Sequence, residues 1–183
     1  MNEQTTAPWG NLVGIRPVKR VVKMMNDGLC DEKIETVLKQ DFAVSSEKTA
    51  LAMKIAKIEL EVMKTIPKNA VSLYIDIPFC PSKCVYCSFA SMPVSEMKDF
   101  IEPYLNALYL ELDKIKTIVT DLNLEIVSIY IGGGTPTSIL SLELDNLLYK
   151  ITRTFDLSGL REFTIEAGRP DTITESKLEV MQK

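Results

Sequence analysis

Apolar residues in the first 67 positions recur at the three- and four-residue steps that predict amphipathic helices. One helix is expected to begin at Pro17 and to end before Gly28, because proline suits the first helical position and glycine follows the last. The segment "DEKIETVLKQDF" predicts a short second helix, and "SSEKTALAMKIAKIELEVMKTIP" predicts a long third helix that stops at Pro67. The core-facing residues predicted for the long helix are Leu51, Ile55, Ile58, Val62 and Ile66.

The rest of the chain repeats a strand, a loop and a helix three times. The segment "AVSLYIDIPF" is a mostly apolar run, which is typical of a strand covered on both faces. Two further strands are predicted in "LEIVSIYIGGG" and "REFTIEAGRP". For the following helices we expect N-caps at Ser95 and Ser141 and a capping box formed by Thr172 and Glu175. Pro103 predicts either a kink or the true first turn of its helix.

Three successive strand–loop–helix units indicate an α/β fold with parallel strands, preceded by a helical segment. We therefore divide the chain into a helical N-terminal segment at 1–68 and a βα region at 69–183. The last helical pattern stops at Lys183 with no strand after it, and a three-stranded layer leaves strand edges open. This ending favours a barrel cut after its third βα unit, and the alternative is a complete small α/β domain.

The composition limits the possible kinds of catalytic and metal site mainly because histidine is absent. The 183 residues carry a formal net charge of −4 and include no histidine, which excludes Ser-His and Cys-His nucleophile pairs, imidazole bases and histidine-ligated zinc or haem. The charge balance gives no argument for nucleic acid, and no apolar run approaches the roughly 20 residues of a membrane span. The N-terminus lacks the pattern of a signal peptide. We therefore expect a cytoplasmic protein, in which clustered cysteines indicate metal binding or catalysis.

Three of the four cysteines lie in "FCPSKCVYCSF", directly after the first predicted strand, at Cys80, Cys84 and Cys87. Loops that follow the strands of βα barrels carry their chemistry. Four thiolates saturate a [4Fe–4S] cube, so three would leave one iron open to a substrate or cosubstrate. The alternatives are structural zinc, for which only the distant Cys30 remains as a fourth thiol, a redox pair of Cys84 and Cys87, and a chance clustering.

Two further motifs follow the second and third predicted strands. Gly132, Gly133 and Gly134 would let the backbone approach a ligand closely, or would simply form a tight strand-to-helix turn. Neither the dinucleotide-binding nor the P-loop glycine pattern is present. Glu166 is expected at the same edge of the sheet as the cysteine loop, where its carboxylate would bind a ligand or pair with Arg169.

The cysteine segment "YIDIPFCPSKCVYCSF" resembles the cluster loop of radical S-adenosylmethionine enzymes, and in particular the coproporphyrinogen III oxidase-like branch. The segments "YIGGGTPT" and "FTIEAGRPDTIT" are similar to that branch's GGGTP loop and third-strand motif. Upstream, "WGNLVGIRPVKRV" looks like the Gly-x-Arg-Pro-x-Lys segment of coproporphyrinogen dehydrogenases of the Bacillus and Clostridium type. The resemblance covers Trp9 to Lys183 and implies the first three βα units of a partial (β/α)6 barrel.

The resemblance implies that the three clustered cysteines hold a [4Fe–4S] cluster whose open iron binds S-adenosylmethionine. The reduced cluster would cleave this cosubstrate to methionine and a 5′-deoxyadenosyl radical, which removes a hydrogen atom from an unactivated carbon. The implied cosubstrate contacts are the glycine loop with Thr135, the carboxylate of Glu166, and Tyr86 and Phe89 beside the third cysteine. For the two aromatic residues, ordinary hydrophobic packing is the alternative.

The implied reaction is the oxygen-independent oxidative decarboxylation of coproporphyrinogen III to protoporphyrinogen IX in haem biosynthesis, with electrons from a flavodoxin or ferredoxin. A basic patch of Arg16, Lys19 and Arg20 would receive the porphyrinogen propionates, or would be a solvated helix face. Two departures from the family pattern weaken the assignment of this decarboxylase activity. Asp76 stands where many relatives have histidine, and Ser88 stands where the oxidases have a further cysteine. A haem-binding chaperone and a truncated product that binds at most a cluster are therefore the other hypotheses.

Overall fold

The computed structural model describes residues 7–12 and 15–182 of the chain. Two compact units are present, Met1–Ile66 and Pro67–Lys183. The glycine that opens the Gly-x-Arg-Pro-x-Lys segment, at position 14, and the predicted stop at Lys183 lie outside the described residues. Within the described ranges, every helix is too short or too polar to cross a membrane.

The first unit is helical, as its hydrophobic pattern predicts. Helix α1 spans Pro17–Asn26, and Gly28 follows it with a φ of +83°. Helix α2 spans Asp31–Thr36 and continues into a single π-helical turn at Val37–Asp41. Helix α3 spans Ser46–Lys64, and its N-terminus is capped by the hydroxyl of the preceding serine. Proline at the start of α1 and glycine beyond its end therefore have the predicted positions.

Helix α3 packs against its unit with a different face from the one predicted. The buried residues of α3 are Thr49, Ala52, Met53 and Ala56. The predicted core residues Leu51, Ile55, Ile58 and Val62 are instead 39% to 55% exposed, and Ile66 lies beyond the helix end. The prediction was wrong because it assigned the largest apolar side chains to the core. Two alanines one turn apart instead let the neighbouring helices of the unit approach α3 closely.

A three-stranded parallel sheet forms the centre of the second unit. Its strands are β1 at Ala70–Ile77, β4 at Glu125–Gly133 and β5 at Glu162–Ile165, in the order β1-β4-β5. Two short strands, β2 at Phe79–Cys80 and β3 at Met92–Pro93, pair in parallel on either side of the cysteine loop. The α/β class and the parallel order expected from the repeated units are confirmed.

Three helices cover one face of this sheet, namely α4 at Val94–Asp121, α5 at Ser141–Thr154 and α6 at Glu175–Gln182. Their apolar faces and every second strand residue form one continuous core. Its fully buried large members include Ile77, Phe79, Leu112, Ile129, Ile131, Leu144, Leu147 and Ile151. Because burial of apolar area supplies about 25 cal/mol per Å², this core fixes the strands whose ends carry the motifs.

The opposite face of the sheet is polar and exposed. Ser128 Oγ donates a hydrogen bond to Ser72 Oγ at 2.7 Å, and the rings of Tyr74 and Tyr130 stack with centroids 5.8 Å apart. Exposed and buried residues alternate along β1, so the prediction of a strand covered on both faces was wrong for this chain. Serine, tyrosine and aspartate occupy every second position of the run, and these side chains face outwards.

Helix α4 starts earlier than its predicted cap. It begins at Val94 after Pro93, which places Ser95 inside the first turn rather than at the N-cap. The backbone leaves helical geometry at Met97, with φ −120° and ψ 18°, and Pro103 lies within the helix beyond this break. Since proline lacks an N–H, it interrupts the hydrogen-bond ladder there, but the break itself lies one to two turns upstream.

The other two predicted caps are also displaced. Ser141 is the first residue of α5 rather than its cap, and the carboxylate of Glu143 accepts from the N–H of the residue before the helix at 2.6 Å. In α6, Thr174 Oγ1 accepts from the N–H of Lys177 at 3.3 Å, so Thr172 is not the capping residue. A 3-10 turn at residues 170–172 uses that threonine and moves the helix start towards the C-terminus.

Candidate functional site

The carboxyl ends of the parallel strands bring the predicted motifs together at one edge of the sheet. The cysteine loop follows β1, the glycine loop closes β4, and a glutamate follows β5. A cavity of about 280 Å³ lies among these three loops. Its lining includes Cys80, Cys84, Cys87, Thr135, Glu166 and Arg169. Residues from three separate βα units therefore face one space.

Cys80 is fixed by the loop that follows β4. Its Sγ lies 3.3 Å from Thr135 Oγ1, within hydrogen-bonding distance of that hydroxyl. The N–H of Thr135 donates to the carbonyl of Phe79 at 2.8 Å, and the N–H of Gly134 donates to the carbonyl of Ile77 at 2.9 Å. Because two backbone bonds join the loops, the first sulfur is held in place by the core of the sheet.

Two glycines allow the loop after β4 to pack closely against the end of β1 and the start of the cysteine loop. A Cβ on Gly134 would lie 2.8 Å from the carbonyl oxygen of Phe79 and 2.9 Å from Cys80 Sγ. Gly133 has a φ of +107°, and a Cβ there would collide with the carboxylate of Asp76. Burial raises the pKa of the Asp76 carboxyl. The glycines therefore make room for the chain's own side chains, and their contact with a cosubstrate stays a prediction.

Glu166 lies at the predicted edge and has a definite partner. Its Oε1 accepts a hydrogen bond from the hydroxyl of Tyr130 at 2.5 Å, and its N–H donates to the carbonyl of Ile131 at 2.9 Å. Because the carboxylate holds the phenolic proton, this bond raises the pKa of Tyr130. The alternative considered from sequence, an ion pair between Glu166 and Arg169, is not formed in the described part of the chain.

Arg169 is a residue of the cavity that sequence reasoning considered only as a partner for glutamate. Its Nη1 donates to the carbonyl of Ser82 and to Cys84 Sγ, both at 3.4 Å, and its Nη2 donates to Ser82 Oγ at 3.2 Å. Asp171 binds the other side of the guanidinium, at 3.3 Å to both Nε and Nη2, and this bond is the largest cause that raises the pKa of Arg169. An arginine in the loop after β5 thus contacts the cysteine loop after β1.

The donor set of the cavity fits an iron–sulfur cluster. Cys80, Cys84 and Cys87 are free thiols that line it, whereas Cys30 belongs to the first unit. Among the residues described, no three His, Cys, Asp or Glu side chains are grouped so that they could hold a metal ion. A cube takes its thiolates at separate corners, which suits a loop that spaces them around a cavity. The buried Oγ of Ser91, also in the lining, has no hydrogen-bond partner among the described residues, so a polar group bound in the cavity could satisfy it.

Tyr86 and Phe89 flank Cys87 but are not among the residues that line the cavity, and the predicted basic patch belongs to the first unit. The side chains of Tyr86 and Phe89 are 87% and 71% exposed, so hydrophobic packing does not account for them. Their stacking on an adenine ring stays a prediction. The three residues of the basic patch border one groove in the first unit, and the guanidinium of Arg20 lies 4.4 Å from the ring centroid of Phe42.

A buried polar network joins the loops after β4 and β5. Lys177 Nζ donates to the carbonyls of Thr137 at 2.6 Å and Thr172 at 3.0 Å. Thr172 Oγ1 donates to the carbonyl of Arg169 at 2.7 Å, which leaves it to accept from Thr137 Oγ1 at 2.6 Å. Burial lowers the pKa of Lys177. The network fixes the positions from which Thr135 and Arg169 reach the sulfurs.

We expect Lys177→Met to lower the free energy of unfolding by about 1–3 kcal/mol, because two buried carbonyls lose their donor while the aliphatic stem is kept. The measurement is urea unfolding followed by circular dichroism. Lys114→Met is the matched control, since Lys114 is an exposed lysine on a helix of the same unit. Equal effects of the two substitutions would show that the network contributes nothing to stability.

Curated proteins of three kinds are similar to this chain. Oxygen-independent coproporphyrinogen-III oxidase-like protein HemZ of Bacillus subtilis is 40% identical over 181 residues, which is 97% of this chain and 36% of that protein. Heme chaperone HemW of Bacillus subtilis is 38% identical over 113 residues, or 61% of this chain and 28% of that protein. Oxygen-independent coproporphyrinogen III oxidase of Synechocystis is 30% identical over 99 residues, or 54% of this chain and 21% of that protein.

The similarity to the first of these proteins includes all of the motifs and almost the whole chain. The chain spans only about a fifth to a third of the length of these relatives. No protein-family model matches the chain, and no solved structure matches it.

Proposed function

Because the chain belongs to the oxygen-independent coproporphyrinogen III oxidase-like branch of the radical S-adenosylmethionine superfamily, we propose that it holds a [4Fe–4S] cluster and binds S-adenosylmethionine. Cys80, Cys84 and Cys87 would be the thiolate ligands of the cluster. The observation that carries this proposal is that these three thiols line one cavity with Thr135 and Glu166. When bound, the cluster would supply the electron that cleaves S-adenosylmethionine to methionine and a 5′-deoxyadenosyl radical.

The chain's own residues would hold and orient the reactants. Thr135 holds the sulfur of Cys80 from the glycine loop. Glu166, oriented by the hydroxyl of Tyr130, would bind the amino group or the ribose of the cosubstrate. Gly132, Gly133 and Gly134 would lie beside its methionine end, and Tyr86 and Phe89, both exposed, would close over its adenine. In this arrangement the protein positions a reactive group and leaves the bond cleavage to the cofactor.

We propose further that the second unit is the first part of a (β/α)6 barrel. Its parallel strands, helices on one face and motifs at the carboxyl ends support this geometry. The polar outer face of the sheet would then line the barrel interior. The proposal keeps the cytoplasm as the compartment, because thiolates must stay reduced to bind iron.

The reaction that we favour is the oxidative decarboxylation of coproporphyrinogen III to protoporphyrinogen IX, with a flavodoxin or ferredoxin as electron donor. The relatives named as an oxidase-like protein and as an oxidase support it. The second candidate is haem binding by a chaperone-like protein, which is favoured by the similarity to heme chaperone HemW. The two differ in their outcome, because an enzyme releases a vinyl product whereas a chaperone retains haem without turnover.

The test is anaerobic reconstitution of the chain with iron and sulfide, followed by EPR spectroscopy of the reduced sample with and without S-adenosylmethionine. We expect a cluster signal that changes when the cosubstrate is added, and release of 5′-deoxyadenosine on reduction. Added coproporphyrinogen III should yield protoporphyrinogen IX if the chain is an enzyme, whereas tight haem binding without product supports a chaperone. Colourless protein without iron, or protein that binds zinc instead, would refute the proposal.

A further inference from the structure

We propose that Arg169 raises the reduction potential of the cluster by donating a charged hydrogen bond to the sulfur of Cys84. The inference rests on the proposed cluster at the three cysteines, and it assigns a role to a residue outside the ligand set. Arg169 would not bind iron itself. It would act through the ligand sulfur and so influence how readily the cluster accepts an electron.

The geometry directs the guanidinium at this sulfur. Arg169 belongs to the loop after β5, yet its Nη1 lies 3.4 Å from Cys84 Sγ. Two more bonds to Ser82, at 3.4 Å to its carbonyl and 3.2 Å to its hydroxyl, hold the same guanidinium on the cysteine loop. Its side chain is only 26% exposed, so solvent screens the charge incompletely.

Two of the three sulfurs have partners of different charge. Cys80 Sγ lies beside the neutral hydroxyl of Thr135, whereas Cys84 Sγ faces a cation. Positive charge is therefore concentrated at one corner of the proposed cluster. Reduction adds one negative charge to the cluster, and a cation that donates to a ligand sulfur stabilises the reduced state more than the oxidised state. The arginine should consequently make the cluster easier to reduce.

Asp171 limits this effect while it fixes the arginine. Its carboxylate accepts from the Nε and Nη2 of Arg169, so the side chain cannot turn freely towards solvent. Its negative charge also offsets part of the field of the guanidinium. Asp171→Asn keeps an amide oxygen that can accept from the guanidinium and removes only the negative charge, so it should shift the potential in the direction opposite to removal of the arginine. Glu166 lines the same cavity, but its carboxylate accepts from Tyr130 rather than from Arg169.

The experiment is a redox titration with dithionite, monitored by EPR spectroscopy, of the reconstituted chain and four variants. In Arg169→Met, we expect the ratio of reduced to oxidised cluster at the wild-type midpoint to fall about three- to tenfold, where tenfold corresponds to about 59 mV. In Arg169→Lys this ratio should fall less, because the positive charge remains although the planar set of guanidinium N–H donors is lost. Arg153→Met is the control, since it removes the same charge at the opposite edge of the sheet.

Iron and sulfide content must be equal in the samples that are compared. A midpoint in Arg169→Met that equals the wild-type value, with the cluster intact, would overturn the inference. If Arg169→Met does not assemble a cluster, Asp171→Asn decides, because it should raise the ratio and an unchanged or lower ratio would refute the role. A wild-type chain without any cluster refutes the proposed function instead, so the two failures are distinguishable.

Discussion

Cys84→Ser is expected to abolish cluster retention, reducing bound iron from about four atoms per reconstituted chain to a small fraction of one. The serine hydroxyl would be a poor replacement ligand, because iron–sulfur clusters select soft sulfur ligands over hard oxygen ligands. A cube that has only three protein ligands is therefore lost when one of them is removed. Release of 5′-deoxyadenosine should fall below detection in the same variant. The measurements are iron and sulfide analysis, the absorbance of the cluster, and chromatography of the cosubstrate products.

Cys30→Ser is the matched control for this experiment. It makes the same chemical change at a cysteine that belongs to the helical unit and does not line the cavity. We expect it to keep wild-type iron content and cosubstrate cleavage. Iron loss in Cys30→Ser equal to that in Cys84→Ser would mean that four thiolates bind the metal. Full iron retention in Cys84→Ser would exclude this sulfur as a ligand.

Gly133→Ala is expected to destabilise the second unit by about 1–3 kcal/mol, the usual cost of holding a side-chain-bearing residue in a backbone region that only glycine occupies readily. Its φ of +107° is one cause, and collision of the new Cβ with the carboxylate of Asp76 is the other. Since the next residue bonds the end of β1, the strain should also displace the cysteine loop and reduce iron retention. Urea unfolding and iron analysis measure the two effects.

Gly168→Ala serves as the comparison. Gly168 lines the cavity beside the cysteine loop, its φ is not in the left-handed region, and no atom of a non-adjacent described residue lies within 4 Å of an added Cβ. We expect a change in unfolding free energy between zero and a stabilisation of about 1 kcal/mol, because alanine restricts the unfolded chain. If the two alanine variants were equally stable, the left-handed geometry and the crowding at Gly133 would have no energetic consequence.

The order of the elements and the position of the site could be predicted because they depend on local patterns. Strand, loop and helix repeated three times imply parallel strands, and parallel strands carry their following loops to one edge. The cysteines, the glycine loop and Glu166 meet there for that reason. No contact between these motifs had to be known in advance.

The predictions that were wrong concern features that depend on contacts with neighbouring elements. The face of α3 was misassigned because Ala52 and Ala56 give helices a closer approach than the larger Leu51 and Ile55 would. The displaced caps follow from turns that precede the helices, which sequence alone does not reveal. Arg169 was considered only as a partner of Glu166, because its contact with Cys84 joins residues 85 positions apart.

The lysine-centred network gives the two residues that contact the sulfurs, Thr135 and Arg169, a common support. Thr135 and Arg169 belong to different loops, yet both loops are tied to Lys177 through Thr137 and Thr172. Opening of that support by thermal fluctuation would release both loops in one cooperative event. The lifetime of the proposed cluster would then depend on the helix that carries the lysine, although no described residue of that helix lines the cavity.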